Sequence, residues 1–165
     1  MSPEERREFV RAHRTAILGY ARRDHGPSMS VVYYVAEGDD VLVSTMAGRA
    51  KAKAIARDGR ISLCVLDEKW PLTYLLVYCR AQVETDPASV VDLMLKIAGV
   101  MAGKAMPEAV RPMVEAGAKQ EKRVVLRCKP YATFHSPPKH VHQASDINEK
   151  LVHGLGQMVP WGASA

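Results

Sequence analysis

The chain has 165 residues, 47% hydrophobic and 25% charged, which suits one domain with its own core and argues against a disordered chain. Lys and Arg outnumber Asp and Glu by 23 to 18, a net charge of +5; this favours an anionic partner (nucleic acid, membrane headgroups, or a phosphorylated or carboxylated small molecule) or is simply a basic soluble surface. No stretch approaches the roughly 18 apolar residues of a membrane span, the opening Met1-Ser2-Pro3-Glu4-Glu5 lacks the apolar core of a secretion signal, and the odd, widely spaced Cys64, Cys79 and Cys128 offer neither a disulfide framework nor a metal pair, so a cytoplasmic location is expected.

Ser2-Pro3-Glu4-Glu5 has the form of a helix start, with Ser2 as cap, Pro3 at the first helical position and Glu5 closing a capping box. That helix is expected to run to about His13. Thr15 to Ala21 reads as a first strand and Asp24-His25-Gly26-Pro27 as a turn. Met29 to Ala36 is β-branched and aromatic, a second strand; Glu37-Gly38-Asp39-Asp40 is a hairpin loop, and Val41 to Thr45 a third strand. The Ala- and Lys-rich run from Gly48 to Asp58 predicts a short helix. Two strands follow, Arg60 to Leu66 and Thr73 to Glu84, then a helix from Asp86-Pro87 to Ala102 and another from Pro107-Glu108 to about Lys119. Lys122 to Cys128 is the last strand, resuming after Pro130 as Tyr131 to His135. The order β-β-β-α-β-β-α-α-β predicts a mainly β, α+β protein: a closed antiparallel barrel with peripheral helices rather than a parallel α/β sheet. Residues 1–135 form the expected domain. Residues 136–165, which mix Pro, His and Gly, form a partly extended tail.

The stretch Val43-Ser44-Thr45-Met46-Ala47-Gly48-Arg49-Ala50-Lys51-Ala52-Lys53 carries the most chemical information. A strand ends in two hydroxyls, a glycine turn follows, and a helix opens with cations in its first turns. Free N–H groups at a helix start, hydroxyl donors and a bidentate guanidinium together make an anion cradle; the same pattern also describes a solvent-facing cationic helix. It is neither a Walker A loop nor a Rossmann fingerprint.

Other features have two readings each. His135, His140 and His142 suggest a metal site or a surface segment. The Arg6, Arg7, Arg11, His13, Arg14, Arg22 and Arg23 cluster suggests a nucleic-acid contact or a solvated face, and no nucleic-acid module accompanies it. Met94, Met101, Met106 and Met113 in the two-helix insertion are packing residues or the wall of a lipophilic substrate pocket.

Ser44-Thr45, Arg49-x-Lys51 and the run Ala54-Ile55-Ala56-Arg57-Asp58-Gly59-Arg60-Ile61-Ser62-Leu63 resemble the pyridoxamine 5'-phosphate oxidase-like superfamily, the FMN-binding split barrels. The likeness is greatest to the actinobacterial branch that uses the deazaflavin coenzyme F420. The family pattern Arg-Asp-Pro-Arg stands here as Arg57-Asp58-Gly59-Arg60. Pro27 to Tyr34, Trp70 with Tyr74, Arg80 to Glu84, Asp86-Pro87-Ala88 and Arg123 to Leu126 continue the resemblance over about residues 10–135; Cys79 stands where a small residue or Gly is usual.

The resemblance implies a homodimeric split β-barrel with its cofactor at the subunit interface. Ser44, Thr45, Arg49 and Lys51 would hold the cofactor phosphate, and Ser30, Val31 and Val32 would face the ring system. Trp70 and Tyr74 would pack near ring or substrate, and Lys53 and Arg57 would meet an extended anionic tail. The implied activity is an F420-dependent reductase that passes hydride to a small organic acceptor, with solvent or an unassigned group as proton donor. The alternatives are an FMN-dependent oxidoreductase or flavin reductase on the same barrel and a non-catalytic flavin- or F420-binding protein. No nucleic-acid partner and no membrane span are expected.

Overall fold

In the computed structural model, which describes residues 1–69, 73–135 and 157–162, eight strands form one antiparallel sheet in the order β2-β1-β5-β6-β7-β4-β3, with β8 added beside β7. The elements run α1 (Pro3–Ala12), β1 (Thr15–Tyr20), β2 (Ser28–Tyr33), β3 (Val35–Glu37), β4 (Asp40–Met46), α2 (Ala50–Arg57), β5 (Arg60–Asp67), β6 (Thr73–Glu84), α3 (Pro87–Ala102), a 3-10 turn (Glu108–Val110), α4 (Arg111–Gln120), β7 (Arg123–His135) and β8 (Gln157–Pro160). Among the described residues no helix is long and apolar enough to cross a membrane.

One stretch, expected as a single strand, splits its loyalties. Its first half, β2, pairs with β1 from Ser28↔Tyr20 to Tyr33↔Thr15, and its second half, β3, pairs with β4 through Val35↔Leu42 and Ala36↔Val41. At the junction the Tyr34 N–H donates to the Arg14 carbonyl at 3.1 Å, and the Tyr34 hydroxyl donates to the Val10 carbonyl at 2.6 Å. The chain therefore belongs to both ends of the sheet and curls it into a split barrel. β2 and β4 diverge from that junction and leave a cleft between them.

Strict alternation fills the barrel. Ala16, Leu18 and Tyr20 of β1, Ile61, Leu63 and Val65 of β5 and Leu75, Val77 and Cys79 of β6 point inward and are buried. Each large apolar side chain so buried contributes about 1.5–3 kcal/mol. Val10 of α1 joins the same core, and the capping box on Ser2 and Glu5 forms as the sequence predicts. Gly59 is needed where α2 hands over to β5. The Ala81 N–H donates to its carbonyl at 2.7 Å, and a Cβ there would lie 2.4 Å from the Ala81 carbonyl oxygen.

The outer face of the sheet is treated in two ways. Over β4 and β7 it is covered: Val90, Val91 and Leu93 of α3 and Ala118 of α4 bury Leu42 and Val125 in a second small core. Over β2, β1, β5 and β6 the described residues leave it uncovered. There the register sets Val31, Ile17, Cys64, Leu76 and Phe134 side by side in one cross-strand row. Val31 is 72% exposed and Met29, one position along the same face, 73%.

Two features differ from expectation. Arg123 to His135 is one strand rather than two, because a register shift at Tyr78/Cys79 sets Cys79 opposite Pro130 and accommodates Tyr131 as the extra residue of a bulge, which a proline without an N–H requires. The second feature is β8, which pairs with Ala132–His135 and buries Trp161 in the barrel core. The Arg7 guanidinium donates to the Trp161 carbonyl at 2.7 Å. Nothing in the composition of residues 157–161 signals this, because a four-residue edge strand is specified by its partner more than by its own pattern.

Candidate functional site

The turn after β4 is built by short local contacts. The Arg49 N–H donates to the Met46 carbonyl at 3.0 Å and Ala47 N–H to the Lys122 carbonyl at 2.9 Å. Arg49 is the N-cap of α2 but makes no side-chain cap bond. The first-turn N–H groups of α2 therefore have no intrahelical acceptor and no side-chain cap.

The cleft between β2 and β4 opens onto this turn. Its volume is about 420 Å³. Val31, Val32 and Tyr33 line one side, Ser44, Thr45, Met46, Arg49 and Lys51 another, and Arg123 closes the end. Met94, Ile97, Ala98 and Met101 of α3 form the remaining wall. Their i, i+3, i+4, i+7 spacing puts them on one helix face.

The polar half of the cleft has spare hydrogen-bonding capacity and spare charge. The Ser44 hydroxyl is buried and has no partner among the described residues. Thr45 is buried. Lys51 is half-buried, and its ammonium is held below the ordinary value, first by burial and then by the charge of Arg49. No acid is among the lining residues. Arg123 has a partner, its Nε donating to Glu121 at 2.6 Å, whereas neither Arg49 nor Lys51 forms an ion pair among the described residues. Two close cations and an orphaned hydroxyl at a helix start are a donor set for a phosphate or carboxylate.

Lys53 and Arg57 fall outside that cleft. They line an adjacent depression of about 340 Å³ with Arg22, Arg23 and Asp24 from the β1–β2 loop, and the Arg57 guanidinium donates to the Ala21 carbonyl at 3.0 Å. Tyr74 is on β6, paired with Leu66, and does not line the cleft. Ser30 is likewise absent from the cleft lining, although it shares β2 with Val31 and Val32. Trp70, His140 and His142 lie outside the described residues. His135 is buried beside Arg6, and burial lowers its imidazole below the ordinary value, with the amino terminus and Arg6 adding to the effect. Among the described residues no group of three His, Cys, Asp or Glu is placed to hold a metal ion.

Tyr33, Met46, Ile97, Ala98 and Arg123 line the cleft without having been singled out from the sequence as site residues. The helical spacing of 94, 97, 98 and 101 was a readable signal. The position of Arg123 was not, since the Met46↔Arg123 pairing that brings it there is non-local.

A family model described as pyridoxamine 5'-phosphate oxidase matches residues 2–135. No curated protein matches the chain. Among solved structures, a conserved hypothetical protein from Mycobacterium tuberculosis superposes with a TM-score of 0.71 at 22% identity, covering 88% of this chain and 94% of that one. A protein named F420 reductase gives 0.57 at 21% identity, covering 73% and 88%. A FAD-binding protein from Mesorhizobium loti gives 0.54 at 17% identity, covering 81% and 90%. At such identities these likenesses speak for the fold, the split barrel described above.

Proposed function

Because this chain belongs to the pyridoxamine 5'-phosphate oxidase family, a family of flavin-binding oxidoreductases, we propose that it is an F420-dependent reductase acting on a small organic acceptor. The observation that carries the reading is the cleft at the β4–α2 turn, where, among the described residues, Arg49 and Lys51 lack acidic partners and the buried Ser44 hydroxyl lacks any. The residues present fit a phosphorylated cofactor. Ser44, Thr45, Arg49 and Lys51 grip its phosphate, and Val31 and Val32 flank its ring. When bound, the cofactor supplies the hydride. The chain's own share is to bind, orient and exclude water: the apolar wall of α3 keeps the ring end of the cleft dry, and the cations hold the anionic end in place.

The choice of a deazaflavin over FMN rests on charge. Its tail carries several carboxylates beyond the phosphate, and Arg22, Arg23, Lys53 and Arg57 sit next to the cradle with Asp24 as the single acid among them. The protein works as a homodimer in this reading, with the row of exposed Val31 and partly buried Ile17, Cys64, Leu76 and Phe134, which no described helix covers, as the contact between copies. Such an apolar strip is a liability on a monomer. Val31→Glu is expected to shift the assembly to monomer by light scattering, and an unchanged mass would remove this face from the interface.

Parallel fluorescence titrations with F420 and FMN, at low and high salt, test the function. Preferential, salt-sensitive F420 binding supports the reading. Preferential FMN binding keeps the barrel and changes the chemistry, tight binding without turnover over many acceptors points to a carrier, and binding of neither removes the proposal.

A further inference from the structure

A second cavity shares Arg123 with the cleft. It has a volume of about 670 Å³, larger than the cleft and within the range of small-molecule sites. Its floor is apolar: Pro87, Ala88, Val90 and Val91 of α3 and Ala118 of α4, with Val90, Val91 and Ala118 buried. Its rim is cationic: Arg111, Lys119, Lys122 and Arg123, against one acid, Glu115. Arg111 is engaged by Asp92 and Glu108, and Arg123 by Glu121. Lys119 and Lys122 form no ion pair among the described residues.

Lys122 is the one described non-glycine residue with a positive φ, at 51°. Its carbonyl accepts from Ala47, and its N–H donates to the Lys119 carbonyl at 3.2 Å, so the turn is held from both sides. Glycine or asparagine occupies such a left-handed position more readily than lysine. A residue kept in an unfavourable conformation, with its charge on the rim of an apolar cavity, argues for a use of that charge.

We propose that this cavity binds a single-chain anionic amphiphile, its apolar body on the α3–α4 floor and its carboxylate between Lys119 and Lys122. An apolar floor with unpaired cations at one edge matches that chemistry and neither a neutral lipid nor a simple anion. The proposal does not depend on which cofactor the cleft takes, or on whether it takes one.

Calorimetric titration of the full chain with decanoate, acetate and decan-1-ol tests it. Decanoate is expected to saturate at one per chain, acetate not to bind, and decan-1-ol to bind at least about tenfold more weakly. The double variant Lys119→Ala/Lys122→Gly is expected to weaken decanoate about tenfold while keeping or raising the melting temperature, since glycine relieves the turn. Ala88→Trp, which fills the cavity from an exposed position, is expected to abolish saturation. Arg49→Ala/Lys51→Ala is expected to leave decanoate affinity unchanged. The proposal is overturned by no saturable decanoate binding, by affinity unmoved in the Lys119/Lys122 and Ala88 variants, or by a loss that instead follows the Arg49/Lys51 variant.

Discussion

Arg127 and Lys51 are both partly buried cations at the covered end of the barrel, yet their surroundings differ in kind. Arg127, on β7, donates to Glu84 at 2.6 Å and to Asp40 at 3.0 Å, and these partners raise its already high pKa. Lys51, on α2, has burial and Arg49 beside it, and both lower its value. One charge is answered within the fold; the other has no acidic partner among the described residues. In the proposed reading, that difference separates the cations that hold the barrel together from those that would hold its ligand.

The sharpest way to break this contrast is to delete the unanswered charges. Arg49→Ala and Lys51→Ala are each expected to weaken cofactor affinity by about 1.5–3 kcal/mol, the range for hydrogen bonds to charged groups, without loss of thermal stability. A double variant with unchanged affinity by fluorescence titration refutes the cradle. Arg127→Ala should behave in the opposite way, costing about 2 kcal/mol of stability by urea denaturation because Glu84 and Asp40 lose a shared donor, and leaving affinity alone. Reduced affinity at full stability would mean that Arg127 is a ligand contact after all.

Smaller effects grade the cations further. Lys53→Ala and Arg57→Ala, in the neighbouring depression, are expected to cost F420 up to about 1 kcal/mol each, as exposed pairs do, and FMN nothing. Equal losses for both cofactors would place the two residues in the phosphate site. The pH dependence of Lys51 is subtler still. Between its lowered folded value and the ordinary 10.5, the unfolded chain carries the proton and the folded one does not, so stability rises with pH across that window. Cofactor affinity runs the other way and falls as pH climbs through the folded value. In Lys51→Met both slopes should flatten, and a slope that survives belongs to another group.

The local vocabulary of this fold is readable in one dimension. The Ser2–Glu5 capping box, the α3 boundaries at Asp86 and Gly103 and the full extent of β6 follow from caps and alternation. So does the arrangement of Ser44, Thr45, Arg49 and Lys51 around one turn, since eight residues of backbone geometry suffice to bring them together. What β2 does at Tyr34 is different: its residues look equally strand-like before and after the junction, and the change of partner from β1 to β4 comes from barrel closure. Arg123 reaches the cleft only because β7 pairs with β4, Met94 and Met101 only because α3 packs over Leu42 and Val125, and Lys122 adopts its left-handed turn only between α4 and the Ala47 N–H. By itself the sequence determined the helices, most of the strands and the clustering of Ser44, Thr45, Arg49 and Lys51 about one turn, because those depend on neighbours a few residues away. Tertiary structure alone decided which wall faces that turn and which sheet face the described residues leave uncovered, because packing and register join residues that the chain keeps far apart.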